Sequence, residues 1–111
     1  MTESGAPAVR EQIAHLRRLR ERAAALGRQL AERELDARLL KHGIEAERRQ
    51  AGDNQTAAEK FAKVDPGYLR HERESAALTE EHARVLAECE AVRLGILLAL
   101  AARHEGVASE P

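Results

Sequence analysis

Five histidines and one cysteine are the side chains of this 111-residue chain that are best suited to bind a metal ion. They are His15, His42, His71, His82, Cys89 and His104. Two ligands on one helix reach the same ion when they lie three or four residues apart. None of these histidines has that spacing from another histidine or from Cys89. The sequence therefore predicts no metal site, and it offers no pattern that points to a cofactor.

Catalytic motifs are also missing from the sequence. Charged residues make up 33% of the chain, so pairs of carboxylates occur throughout it and none of them is informative. There is no glycine-rich phosphate loop and no nucleophile elbow. We expect a protein that is not an enzyme and that has no small-molecule substrate.

Arginine is the residue type whose clustering suggests a ligand. Six arginines fall between residues 10 and 28, where Glu11 and Glu21 are the only acids, and they are Arg10, Arg17, Arg18, Arg20, Arg22 and Arg28. Such a stretch can contact the phosphates of a single-stranded nucleic acid, with an affinity that falls steeply as salt rises. The alternative is a solvated helix face with salt bridges. The 2% aromatic content favours that alternative, because it leaves almost no rings for base stacking.

Long helices must position these residues. The composition, rich in Ala, Leu, Glu and Arg, is typical of coiled coils. Apolar residues recur at heptad spacing in two stretches. The first stretch has Leu16, Leu19, Ala23, Leu26, Leu30, Arg33, Ala37, Leu40, Ile44 and Glu47 at its core positions, and the second has Leu78, His82, Val85, Cys89, Val92, Ile96 and Ala99. The pattern predicts an all-α fold: a long, coiled-coil-like, two-helix antiparallel hairpin with a short helix and a kink at residues 56–66.

Composition along the chain divides it into three parts. We expect a disordered N-terminus over residues 1–6, a helical hairpin domain over 7–105 and a tail over 106–111, with Gly106 ending the last helix. Within the domain, the predicted parts are a first arm over 7–50, a turn over 51–55 and a return arm over 56–105.

Turn and capping residues mark the middle of the hairpin. We expect Gly52 to take the left-handed conformation that ends a helix. Thr56 and Glu59 have the spacing of a capping box, and Asp65 can cap a further helix that begins at Pro66. Folding the chain about residue 54 pairs positions whose numbers sum to about 108, and a slip of one heptad remains open.

Apolar residues beside the heptad positions suggest a further contact. Those on the return arm are Leu86, Leu94, Leu97, Leu98 and Leu100. A helix that is apolar on several sides is buried on several sides, so the sequence predicts an oligomeric contact there, with another copy of the chain or another helical protein. The alternative is an ordinary core at the end of the hairpin, closed by Val9 and Ile13.

The cellular setting can be inferred only coarsely. The longest apolar run, Leu94 to Ala102, is shorter than the roughly 20 residues that cross a bilayer, so we expect no membrane span. A lone cysteine fits a reducing compartment, and we expect a cytoplasmic protein.

One stretch of sequence resembles a known kind of protein. The residues concerned are the segment Lys41 to Arg49, the Gly52-Asp53 turn, the run from Thr56 to Tyr68 and the leucine-spaced helix after it. Together they resemble the small helical accessory proteins of phage recombination and strand annealing, such as the T-even phage recombination mediator. The resemblance covers residues 20–103 in pattern and only 56–68 as a motif. It implies a ring-forming, single-strand-binding helper of a recombinase or annealase, although such a helper is expected to be more basic.

These observations lead to two hypotheses. The first is a non-enzymatic, self-associating helical hairpin that acts as an assembly or adaptor subunit through coiled-coil contacts. The alternative is a phage-type DNA recombination accessory protein that binds single-stranded nucleic acid through its arginine-rich helix.

Overall fold

The computed structural model describes residues 5–108, with side chains described for residues 8–104. This part of the chain contains three helices and no strand: α1 spans Gly5–Gln50, α2 spans Gln55–Val64 and α3 spans Pro66–Ala108. The predicted all-α fold class is confirmed. The chain divides into two compact units, a first unit of the residues up to Ala25 and from His82 onward, and a second unit spanning Leu26–Glu81.

Both outer helices are longer than predicted. α1 begins at Gly5 rather than at residue 7, and Pro7 still falls in its first turn, where a missing N–H costs nothing. The prediction that Gly106 ends α3 is wrong, since the helix continues to Ala108. A glycine within a helix costs only about 1 kcal/mol relative to alanine, which is too little to end a helix by itself. Residues 1–4 and 109–111 of the predicted disordered end and tail lie outside the described residues.

The turn after α1 is a Schellman motif built on Gly52. Its φ of +109° confirms the predicted left-handed conformation. The Asp53 N–H donates to the Arg48 carbonyl at 3.0 Å, and the Gly52 N–H donates to the Arg49 carbonyl at 3.1 Å. These bonds satisfy carbonyls that the end of α1 would otherwise leave unpaired. The turn occupies residues 51–54, one residue fewer than predicted.

The N-cap of α2 is Asn54, and the predicted capping role of Thr56 is wrong. The Asn54 side chain accepts a hydrogen bond from the Ala57 N–H at 2.9 Å, while Thr56 already lies inside the helix. Asparagine is a better N-cap than threonine, so α2 begins one residue earlier than the predicted 56. Glu59 does not return to the cap; it accepts instead from the Gln55 side-chain amide at 2.9 Å.

The predicted break at residues 64–66 is confirmed. α2 ends at Val64, and α3 begins at Pro66. A residue before proline is disfavoured in helical geometry, and Asp65 has an extended ψ of 129°. Its carboxylate accepts from the Tyr68 N–H at 3.1 Å, which caps α3 as the sequence predicted. The return arm is therefore two helices rather than one.

Small side chains and one arginine hold α2 in the second unit. Ala58 and Ala62 are completely buried, so the backbone of α2 lies close to its neighbours. The guanidinium of Arg48 is held on one side by Asp53, whose Oδ2 accepts from Arg48 Nε at 2.8 Å. The same guanidinium stacks over the ring of Phe61. Arg48 thus links the end of α1 both to the turn and to α2.

Candidate interaction surfaces

The first unit has a small apolar core formed by both of its helical segments. Leu16, Leu19 and Ala23 of α1 and Val85 and Ile96 of α3 are buried. All five occupy predicted heptad core positions. The heptad pattern therefore identified the face of each helix that is covered by the rest of the unit.

The five leucines predicted at an oligomer contact lie outside that core. Leu86, Leu94, Leu97, Leu98 and Leu100 keep between 43% and 71% of their surface exposed. Ile13, which the alternative interpretation placed over this end of the fold, is itself exposed, and Val9 is only half-buried. The residues that the structure describes do not cover these leucines, and this leaves them accessible to another molecule.

Helical spacing sorts the exposed leucines into two groups. At about 100° per residue, Leu94 and Leu98 lie on the side of α3 opposite Val85 and Ile96. We call the outer stripe the exposed residues at heptad spacing on that side: Ala87, Ala91, Leu94, Leu98 and Ala101. We call the flanking stripe the neighbouring set Leu86, Glu90, Arg93, Leu97 and Leu100, which are likewise exposed.

The two charged residues of the flanking stripe, Glu90 and Arg93, form an ion pair with each other. The Arg93 guanidinium donates to both carboxylate oxygens of Glu90, from Nη2 at 2.6 Å and from Nε at 3.1 Å. Hydrogen bonding by Arg93 lowers the pKa of Glu90, and the same bond raises the pKa of Arg93. Because both groups stay charged at neutral pH, the pair adds no net charge to the apolar surface around it.

The predicted nucleic-acid contacts are exposed but do not share one face. Arg10, Arg17, Arg18, Arg20 and Arg22 belong to the first unit and Arg28 to the second, and all are exposed on α1. Helical spacing puts Arg17 and Arg20 on one side of α1 and Arg18 and Arg22 on another. Arg17, Arg18 and Arg20 make no ion pair with any residue that the structure describes, whereas Arg22 interacts within the chain.

Arg33 forms a polar contact in the second unit that the sequence did not predict. Its Nε donates to Ser75 Oγ at 2.9 Å, and its Nη2 donates to the His71 carbonyl at 3.2 Å and to Glu74 Oε2 at 3.1 Å. The Arg33 side chain is only 21% exposed. Residues 33 and 75 sum to 108, so the predicted register is correct at this point. The sequence did contain a signal for this contact, because Arg33 stands at a heptad core position and the predicted register places Ser75 opposite it.

A shallow cleft lies beside Arg33 in the second unit. Its volume is about 260 Å³, and its lining residues are Leu30, Arg33, Glu34, Ala37, Glu72, Ser75 and Thr79. The Nδ1 atom of the nearby His71 is buried without a hydrogen-bond partner among the described residues. No group of three or more His, Cys, Asp or Glu side chains within that part of the chain has the arrangement of a metal site.

Comparisons with protein families, with curated proteins and with solved structures find no match to this chain, so the resemblance to phage recombination helpers stays a prediction. Among the residues that the structure describes, none of the helices has the length and apolar content needed to cross a membrane.

Proposed function

We propose that this protein is a non-enzymatic helical hairpin of the cytoplasm that associates with itself and serves as an assembly or adaptor subunit. The observation that carries the proposal is the exposure of Leu94 and Leu98, at heptad spacing, on the side of α3 away from the core. Burying the remaining half of a leucine side chain is worth about 1 kcal/mol. Several such side chains on one helix favour a helical partner, because heptad spacing matches knobs-into-holes packing.

Sedimentation velocity at micromolar concentration tests the proposal. The wild-type chain is expected to sediment as an oligomer, and Leu94→Glu/Leu98→Glu as a monomer with unchanged helical circular dichroism. The matched control is Leu35→Glu/Leu39→Glu, which has the same spacing and also changes exposed leucines, but on α1 in the second unit. A monomeric wild type overturns self-association. An oligomer that survives the first variant and not the control overturns the assignment to α3.

The second candidate function is binding of single-stranded nucleic acid by α1, as a helper of a phage-type recombinase or annealase. The exposure of Arg17, Arg18 and Arg20, without acidic partners among the described residues, favours it. Such contacts would be made to phosphates and would therefore be nonspecific in sequence.

Fluorescence anisotropy with a labelled oligothymidylate, at 50 and 200 mM salt, tests this candidate. Each phosphate contact to a single strand contributes about −0.7 to the slope of log K against log salt. Changing Arg17 and Arg20, which share one side of α1, to Gln should therefore make that slope shallower by about 1.4. The control changes Arg70 and Arg73 to Gln, which removes the same charge at the same spacing from exposed positions of the second unit. Absence of binding at 50 mM salt, or equal effects of the two variants, rejects the candidate.

A further inference from the structure

We propose that two copies of the chain pair through α3 as an antiparallel, two-fold symmetric pair of helices whose symmetry axis passes level with Ile96. This inference rests on the proposed self-association and specifies its geometry. The contact is made by four residues of the outer stripe, namely Ala91, Leu94, Leu98 and Ala101.

The last four residues of the outer stripe read the same in both chain directions. Ala91, Leu94, Leu98 and Ala101 are spaced by three, four and three residues, and their types are alanine, leucine, leucine and alanine. A two-fold interface brings a surface against its own copy in reverse. A helix face that is symmetric under reversal meets that requirement with its leucines at the centre and its alanines outside. A partner of different sequence would not require such symmetry.

Side-chain size selects one antiparallel register. With the axis level with Ile96, Leu94 packs against Leu98 of the second copy, and Leu98 against its Leu94. Each Ala91 then packs against an Ala101. A shift of one helical layer toward the N-terminus would pair each leucine with an alanine and would bring Arg84 against Ala101. The leucine-on-leucine register buries more apolar surface, and it is therefore the favoured one.

The flanks of this register are compatible in size and charge. Gly95 meets Gly95 of the second copy on one side, and a Cβ added at Gly95 would have no atom within 4 Å in the single chain. The two helices can therefore approach closely there. On the other side Leu97 meets Leu97, and each Glu90 lies near the second copy's His104. No pair of like charges is brought together at these positions, whereas like charges at coiled-coil flanks disfavour pairing.

The proposed interface does not compete with the core of the first unit. Val85 and Ile96 are buried on the opposite side of α3, and the outer stripe is exposed along its length. Pairing therefore needs no rearrangement of the single chain. Cys89, half-buried toward the core side, also lies outside the contact.

Spin-label distances test the direction of pairing. In a Cys89→Ala background, single labels are placed at Leu100→Cys or Ala83→Cys, which are both exposed positions of the first unit. With a rise of 1.5 Å per residue, antiparallel pairing separates the two labels along the axis by about 12 Å at position 100 and by about 39 Å at position 83. Pulsed electron paramagnetic resonance should show that difference. Equal distances at the two sites, in a chain that sedimentation shows to be an oligomer, overturn this geometry and leave self-association intact; a monomeric chain overturns both.

Gly95→Arg gives an independent test that does not remove an apolar side chain. The single chain has room for a Cβ there, and replacing a glycine within a helix favours the helix. In the pair, two arginines would meet at the axis, so we expect at least a tenfold weaker dimer. Gly43→Arg is the matched control, because its added Cβ also meets no atom within 4 Å and it lies on α1 in the second unit. Unchanged association of Gly95→Arg overturns the proposal.

Discussion

The guanidinium of Arg48 lies over the ring of Phe61, with its Cζ atom 4.1 Å from the ring centroid. The same group donates from Nε to Asp53 at 2.8 Å. One side chain at the end of α1 thus contacts both the turn and the middle of α2. Both partners of Arg48 lie beyond the end of α1. The two contacts therefore stabilise the turn and the packing of α2 rather than α1 itself.

Arg48→Ala should lower the free energy of unfolding by about 1–2 kcal/mol. A partly exposed cation–π contact is worth about 0.5–1 kcal/mol, and a partly exposed ion pair adds about 0.2–1 kcal/mol. Urea denaturation followed by circular dichroism measures the change. Arg38→Ala is the control, because its i,i+4 pair with Glu34 is 68% and 69% exposed and should contribute less than about 0.5 kcal/mol. Equal losses in the two variants would contradict a special role of Arg48.

The structure gives α2 the N-cap Asn54, whereas the sequence predicts Thr56. Asn54→Ala should cost about 1 kcal/mol, because it removes the acceptor of the Ala57 N–H. Thr56→Ala should be neutral or slightly stabilising, since Thr56 lies inside α2 and alanine is the better helix former. Thermal and urea denaturation of both variants measure the difference. A larger loss of unfolding free energy for Thr56→Ala than for Asn54→Ala would show that Thr56, and not Asn54, caps α2.

Arg33 should be replaceable only in part. Arg33→Ala removes the hydrogen bonds to Ser75, His71 and Glu74 together with the packing of the aliphatic stem. We expect a loss of about 1–2 kcal/mol in the free energy of unfolding, at up to about 1 kcal/mol for each of the part-buried bonds to Ser75 and His71, since the exposed bond to Glu74 contributes less. Arg33→Lys should recover less than half of it, because an ammonium lacks the planar fork. Full recovery by lysine would show that charge and stem alone account for the effect.

The Glu90–Arg93 pair predicts a measurable titration. Arg93 lowers the pKa of Glu90 from its ordinary value of 4.5, so Arg93→Gln should raise it toward that value. Since the pKa is lower in the folded chain, the pair stabilises the fold above the unfolded pKa and loses that contribution as the pH falls through the folded value. Carbon-detected NMR of the Glu90 carboxyl measures the shift. Arg84→Gln removes the same charge from α3 without touching this bond and should leave the Glu90 titration unchanged; the expectation fails if the two variants behave alike.

Periodicity and breakers predicted most of the backbone. The core positions from Leu16 to Ala23, the left-handed Gly52 and the helix start at Pro66 are all found in the structure. These features depend on local rules, namely the spacing of apolar residues, the absence of a Cβ and the fixed φ of proline. The capping of α2 was missed because two good caps, Asn54 and Thr56, lie two residues apart, and the competition between them depends on the length of the turn.

The polar contacts were harder to predict because they depend on the tertiary register. Arg33 is a charged residue at a predicted heptad core position, and its hydrogen bonds could be assigned only once the structure placed Ser75 opposite it. Arg48 likewise finds Asp53 and Phe61 through the turn geometry. The exposed leucines of the outer stripe were predictable as surplus apolar residues, but a sequence alone does not show which of them the chain covers by itself.

Complete burial of Ala58 and Ala62 bears on how this protein can change over evolution. A side chain larger than a methyl group would push α2 away from the helices beside it, so we expect only alanine or glycine to be accepted there. The exposed leucines at Leu35 and Leu39 are under no such spatial restriction within the single chain. Relatives of this protein should therefore be recognised by two small residues four positions apart before an Asp-Pro pair, rather than by their leucines.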